Sequence, residues 1–359
     1  MRWSIPTKRK GNIELEVSNF TQLTGTNKQL IFDIMQVVKW YFCGRKYTEE
    51  DLSLFFQNEL IIEREIGTVK RDSFKVICLD TMESISNQLG FKKSSISFEY
   101  LKYVMRKTSF EGHLELLNNE LLSLVQQIDK DSAIYMEESS FHVAIKEILS
   151  ENIIQKFLNP VFAWSDMEVA FEWLDNFEKM FLILKMLEYI LMNSDEDYLL
   201  ILEGMDQYLT GDQYQKILKK LNQISEQYHL TVVNEVFDGE YLWMEDKTLP
   251  SINIISDYIN HFHDLEFMKE RFMNEYPTNI EMEDKEMLEV LRNVSQFIFT
   301  ENLERKSISE FDLIATAIIN KLYLLEISPK ISYRECLETE KNFQKKCYFN
   351  VKNNGKIEV

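Results

Sequence analysis

Glycine, proline and cysteine are all scarce in this chain of 359 residues, at 10, 5 and 4. So few turn formers argue against a sandwich or propeller built from many tight turns. The four cysteines, Cys43, Cys78, Cys336 and Cys347, stand far apart with no C-x-x-C pair. That pattern fits reduced thiols in a cytosol, packed as small apolar residues. Long apolar runs are missing too: the richest stretch, Met180–Met192, is interrupted by Lys185 and Glu188 and reads as a buried helix, too short to span a bilayer. Lys8-Arg9-Lys10 leads into Gly11-Asn12 and alternating residues rather than an apolar core, so no secretion signal is expected and the reading is cytoplasmic.

What is present is 45% apolar and 28% charged, the balance of a folded globular protein, and its Leu, Ile, Glu, Lys and Met favour helix. At this length two or three domains are expected. Formal charge is −19, which taken whole argues against nucleic acid or an anionic membrane as partner. The charge is unevenly spread, however. Residues 1–114 hold 17 Lys+Arg and 14 Asp+Glu, residues 115–257 hold 9 and 27, and the remainder 14 and 18. Net charges of +3, −18 and −4 follow, so any polyanion site draws on the first third.

Ile13, Leu15 and Val17 alternate with polar residues as in a half-buried strand, and a helical pattern after Gly25 ends at Gly44. Phe74, Val76 and Cys78 mark another strand. From about Ser97 to Asn193 the period is helical: a segment along Leu114–Ile128, a second from Glu138 to Leu158, and a third from Asp166, placed as its cap, to Met192. Tyr198–Leu202 is a continuous apolar run, followed by a helix along Tyr214–Ile224 and a strand Leu230–Val233, together a parallel crossover unit. Beyond Pro250 the pattern reads as helical again. The expected fold is an α/β head with an inserted α-helical leg and an all-α extension, mainly helical overall. Its parts are 1–90 and 194–258 for the head, 91–193 for the leg and 259–359 for the extension.

Gly25-Thr26-Asn27-Lys28 stands between a strand and a helix, where a phosphate-binding loop would be. The full G-x-x-x-x-G-K-[ST] pattern is absent, and Gln29 replaces the hydroxyl that would hold Mg²⁺. After Leu202, where an Asp for metal and a Glu for water belong, stand Glu203 and Gly204. Gly25, Lys28 and Glu203 therefore look like a degenerate nucleotide frame without chemistry. His261 and His263, two apart, would face different sides of a helix and read as surface polar residues. No G-x-S-x-G, H-E-x-x-H or Cys/His constellation occurs. Basic residues cluster instead at Lys8-Arg9-Lys10, Lys92-Lys93 and Lys102, Arg106 and Lys107, the last group with an i,i+4 pair on one helical face. A solvated charged face is the plainer reading of any single cluster.

The order of these pieces resembles the large form of the type II-A CRISPR adaptation protein (the Csn-two family). The pieces are the defunct loop at Gly25–Lys28, Gly90-Phe91 leading into the helical arm, and the strands Tyr198–Leu202 and Leu230–Val233. The likeness covers roughly residues 11–258, with 259–359 as the extension of large members. It implies a non-enzymatic protein whose head is related to P-loop ATPases. It further implies a homotetrameric ring that binds ends of double-stranded DNA, without sequence preference, during spacer acquisition in antiviral defence. Partners would be other CRISPR adaptation proteins and the effector nuclease, with no membrane. DNA-facing groups are then lysines and arginines of head and leg, and charge clustering points to Lys8, Arg9, Lys10, Lys92, Lys93, Arg106 and Lys107. No cofactor is expected, with calcium left open: small members hold it near the leg's helices, where Asp129, Asp131, Glu137 and Glu138 lie here with a different spacing. Two other readings stand beside this one. One is a divergent P-loop nucleotide hydrolase with Lys28 on phosphate and Glu203 on metal; the other is a protein-binding scaffold without DNA.

Overall fold

A computed structural model describes residues 1–8, 11–55, 59–106, 108–164, 167–303, 309–325, 327 and 330–331. By packing, the chain divides into two units: Met1–Thr81 together with the chain from Glu196 onward, and Met82–Asp195. The first unit opens with β1 (Arg2–Thr7), β2 (Gly11–Glu16) and β3 (Phe20–Thr24), then α1 (Lys28–Phe42), the short α2 (Glu49–Ser53), β4 (Glu63–Arg64) and β5 (Lys75–Leu79). The second holds α3 (Met82–Leu89), α4 (Ile96–Met105), α5 (Thr108–Ser132), β6 (Ile134–Tyr135), β7 (Ser140–Phe141), α6 (Ser150–Phe157), β8 (Phe162–Trp164), β9 (Met167–Val169) and α7 (Asn176–Met192). The first unit resumes with β10 (Tyr198–Leu202), α8 (Gly211–Gln227), β11 (Leu230–Glu235), β12 (Ile252–Ile255) and β13 (Ile259–His261). It continues with α9 (Leu265–Glu275), α10 (Asp284–Val294), β14 (Asn302–Leu303), α11 (Glu310–Leu322) and β15 (Lys330–Ile331).

In the first unit a six-stranded sheet runs β13-β12-β3-β11-β10-β5, parallel except where β13 pairs with β12. β10 is buried along its whole length, as a strand covered on both faces must be, and this explains its unbroken apolar run. On one face α1 brings Leu30, Ile34, Val37, Val38 and Tyr41 to Leu199, Ile201, Val233 and Ile255, and Trp3 and Ile5 of β1 close the same core. β1 is the middle strand of a small antiparallel sheet, β2-β1-β4. Tyr214, Ile217, Leu218, Leu221 and Ile224 of α8 are all buried, and that helix packs on β11 and β3. A further core joins Ile252 and Ile254 of β12 to Met268 and Phe272 of α9, Leu291 and Val294 of α10 and Ile319 of α11.

Several expectations are corrected. The strand entering the Gly25 turn is β3, not the Ile13–Val17 stretch, which is β2 of the small sheet. Past Pro250 the chain is first a buried strand, β12, paired with β13, so that segment is not wholly helical. His261 accordingly ends a strand, and His263 stacks on Tyr323 with ring centroids 4.9 Å apart; both are half-buried rather than on the surface of a helix. Two short antiparallel ribbons, β6-β7 and β8-β9, interrupt the second unit, so the segment from Glu138 is helical only over α6. Asp166 lies outside the described residues. α7 is capped instead by Asp175, which accepts from the Phe177 N–H at 2.7 Å while Glu178 reaches back to the Asp175 N–H. Within this unit α4 packs on α7 and α6, whereas Leu117, Leu124 and Ile128 of α5 stand exposed.

Candidate functional site

Two groups of the residues singled out by sequence come together, one in each unit. The first is the turn from β3 into α1. Gly25 holds φ at +134°, and a Cβ there would lie 2.2 Å from the Ile255 carbonyl oxygen, so only glycine lets the turn pass against the end of β12. The turn's N–H groups are then engaged by its neighbours. Asn27 N–H donates to the Ile255 carbonyl (3.0 Å), Thr26 N–H to the Ser256 hydroxyl (3.3 Å) and Lys28 N–H to the Thr26 carbonyl (3.0 Å). Asn27 Oδ1 accepts from the Leu30 N–H at 3.1 Å and caps α1. A phosphate-binding turn points these same groups at its ligand. The Lys28 side chain is engaged as well: Nζ donates to the Phe237 carbonyl at 2.6 Å and lies 5.0 Å from that ring.

Two carboxylates, Asp206 and Glu235, feel the charge of Lys28, and a third, Glu203, feels Lys39 and Asp80. Burial pushes Glu203 and Asp206 above the usual carboxylate range. Burial, then the charge of Glu203, raises Glu235 to about 7 against the pull of Lys28. Asp206 accepts from the Phe237 N–H at 3.0 Å, Gln36 Nε2 donates to Glu203 at 3.5 Å, and Lys39 is ion-paired with Asp80. Neither Lys39 nor Asp80 stood out in the sequence, because only the fold brings α1 beside the end of β5.

The acids considered for calcium do not gather. Both oxygens of Asp129 are engaged, by His142 Nδ1 at 3.2 Å and the Val143 N–H at 2.5 Å, while Asp131, Glu137 and Glu138 stand exposed. Among the described residues no group of three or more His, Cys, Asp or Glu is arranged to hold a metal ion. These side chains therefore do not fit a calcium ion, which needs six to eight oxygens around one point.

The second place is the basic cluster around α4. Lys92 and Lys93 are exposed just before its cap, Ser95, and Lys92 Nζ donates to Asn87 at 2.6 Å. Lys102 lies on the helix and Arg106 caps its end, with the guanidinium 4.6 Å from the Tyr103 ring. Lys102 Nζ meets Glu151 of α6 at 2.9 Å, and that carboxyl is held below its usual range first by Lys102 and then by Lys93 and Arg106. Glu151 thus pairs with Lys102 and feels the charges of Lys93 and Arg106 more weakly. Glu151 was missed by sequence because it is distant along the chain. Lys8, in the other unit, lies 3.7 Å from Asp33 and 6.0 Å from the Phe55 ring. Arg9, Lys10 and Lys107 lie outside the described residues.

The cysteines also depart from expectation. Cys43 is exposed and Cys78 half-buried, with their sulfurs 4.0 Å apart. Cys336 and Cys347 lie outside the described residues.

Fold and basic cluster together define a sheet-and-helix protein with a helical insertion. The family model for CRISPR-associated protein Csn2, subfamily St, matches residues 5–346, and the chain belongs to that family. A crystal structure of Stu0660 of Streptococcus thermophilus is similar at 27% identity and a TM-score of 0.86, covering 96% of this chain and 99% of that one. An SMC head domain from Thermotoga maritima is similar at 10% identity with a TM-score of 0.35, over 73% of this chain and 98% of that one. None of the curated proteins matches this chain. Family membership carries a role in CRISPR adaptation alongside other CRISPR components. Among the described residues no helix is long and apolar enough to cross a membrane.

Proposed function

We propose that this protein acts in spacer acquisition as a non-enzymatic sleeve on duplex DNA. Four copies close into a ring whose lysines and arginines grip the phosphates at DNA ends without reading sequence. The observation that carries this reading is the gathering of Lys92, Lys93, Lys102 and Arg106 around α4 in a chain of net charge −19. Phosphate contacts supply sequence-independent affinity, and cations lining a shared channel would supply them while acidic outer faces keep the assembly soluble. The state of the β3–α1 turn supports the absence of chemistry: its N–H groups and the Lys28 ammonium already have partners inside the protein. In this reading the frame descends from a P-loop hydrolase, works in the cytoplasm beside the other adaptation proteins and the effector nuclease, and needs no calcium.

The test is a titration of linear and closed circular duplex, with light scattering on the same samples. Tetramers that retain linear duplex, hold circles more weakly and release both on raising salt from about 50 to 200 mM are expected. The Lys93→Ala/Arg106→Ala double variant should flatten the salt dependence by about 1.8 log units per log salt for each protomer in contact with the duplex, two phosphates' worth. A tetramer that ignores linear duplex at low salt would refute the proposal. Phosphate release from ATP that vanishes in Lys28→Ala would replace it with a nucleotide hydrolase.

A further inference from the structure

Two cysteines far apart in sequence meet in the first unit. Cys43 caps the C-terminus of α1, and Cys78 lies on β5, the strand at the edge of the six-stranded sheet. Their sulfurs are 4.0 Å apart, in hydrogen-bond contact, and Cys43 is open to solvent. A disulfide needs the sulfurs at about 2 Å, so they must close roughly the same distance again. The surroundings allow that. Cys43 is followed by Gly44 at φ +69°, where a Cβ would meet nothing within 4 Å, and among the described residues β5 has a ladder partner on one side only.

The chemistry favours Cys43 as the attacking group. A hydrogen bond from Cys78 stabilises the Cys43 thiolate, and the Lys39 ammonium one turn earlier adds to it; together they outweigh burial and bring Cys43 to about 7. The carbonyl end of α1 works against a negative charge there, and Lys39 is the basic residue of that last turn. Cys78 moves the opposite way, held protonated as the donor of that bond and by burial. Lys39 and Asp80, ion-paired with one another, are the charged groups beside the two thiols.

The geometry points to Cys43 and Cys78 as a reversible thiol switch that takes small peroxides as oxidant and fastens the end of α1 to the edge strand β5. The Cys43 thiolate attacks one peroxide oxygen, the O–O bond breaks, and hydroxide leaves to take up a proton as water, giving a sulfenic acid on Cys43. The Cys78 sulfur then attacks the Cys43 sulfur as its own proton leaves. The S–O bond breaks, a second water departs and the S–S bond forms. Two thiols have lost two electrons in all, and one hydrogen peroxide has become two waters. A small dithiol reverses the bond by exchange. Intracellular disulfides of this kind are transient and redox-sensing rather than structural.

The test uses the full chain treated with hydrogen peroxide, alkylated with N-ethylmaleimide and digested with trypsin. Trp40–Arg45 and Val76–Lys92 are the two tryptic peptides, each with a single cysteine. They should appear joined, with the mass of the pair less two hydrogens, and separate again after dithiothreitol. In a Cys336→Ser/Cys347→Ser chain, peroxide should remove all alkylation, and adding Cys43→Ser should leave Cys78 fully alkylated. Mapping the unaltered chain keeps the result independent of whether any variant folds. Three outcomes would overturn the switch: both peptides alkylated after peroxide, Cys43 carried to sulfinic or sulfonic acid while Cys78 is alkylated, or either peptide joined only to a second molecule.

Discussion

Replacing Glu235 by Gln tests the charge balance behind Lys28. Glu235 ends β11 at 6% exposure, and its carboxyl is raised from 4.5 to about 7 by burial and by Glu203. Between those values the folded chain keeps a proton that the unfolded chain has released. Stability therefore falls as pH rises through that window and is flat above it. Each pKa unit corresponds to about 1.4 kcal/mol, so the fall amounts to about 3 kcal/mol. Glu235→Gln cannot ionise, and its stability should not show this decline. The buried amide has a desolvation cost of its own, but that cost is the same at every pH and cancels when slopes are compared. Loss of the charge also relieves Glu203, which flattens the variant's curve further. Urea unfolding of both proteins, followed by tryptophan fluorescence from about pH 4.5 to 8, measures the two slopes over the window in which the carboxyl titrates. Parallel curves would show that Glu235 ionises as freely in the fold as out of it, and the account of the site would fail.

Gly25→Ala should destabilise the protein by about 3 kcal/mol or more, since the new Cβ meets the Ile255 carbonyl at 2.2 Å and the φ of +134° is strained for any L side chain. Thermal melting checks it, and a near-unchanged melting temperature would mean the turn does not sit against β12. Glu151→Gln frees Lys102 from its ion pair and removes the negative charge felt by Lys93 and Arg106, so duplex DNA should bind more tightly with a salt dependence steeper by about 0.9 log units per log salt for each protomer in contact. Titrations at several salt concentrations read that slope, and an unchanged value would place this cluster away from the DNA.

Where burial and hydrophobicity agree, the sequence was legible. Leu199–Leu202 declared a strand covered on both faces, and the stripe of Tyr214, Ile217, Leu218, Leu221 and Ile224 declared the helix beside it. β3 hid because Thr21, Gln22 and Thr24 are polar, yet every residue of it is buried. Gln22 satisfies its amide by bonding both the N–H and the carbonyl of Trp243, at 2.9 and 2.7 Å, a partner no local pattern announces. β12 hid similarly: Asn253 interrupts its isoleucines and bonds the Glu16 N–H and carbonyl, both at 2.9 Å. The start of α7 was available, since Asp175 has Glu178 three residues on, the reciprocal pair that Asp166 lacks. At the candidate sites the lysines and arginines could be found by clustering. The carboxylate they surround, and the partners that occupy Lys28, could not, because both come from distant segments.

The partners of Lys28 and the neighbours of Glu151 bear on how, in the proposed function, an acidic chain would hold a polyanion. A strand-to-helix turn binds phosphate only when its N–H groups lack other partners, and here Ile255, Ser256 and Thr26 supply them. What remains for a phosphate is side-chain charge, and around α4 that is Lys92, Lys93, Lys102 and Arg106, of which Lys102 is ion-paired with Glu151. The other three cations, each on a phosphate, correspond to a salt slope of only about −2.7, which is weak binding for one protomer. The same cluster repeated around a shared duplex multiplies that slope without any new kind of contact, up to about −11 for four copies. On the proposed function, a cluster with so little positive charge per copy would hold DNA firmly only as part of an assembly, with the chain's net charge of −19 opposing contact elsewhere.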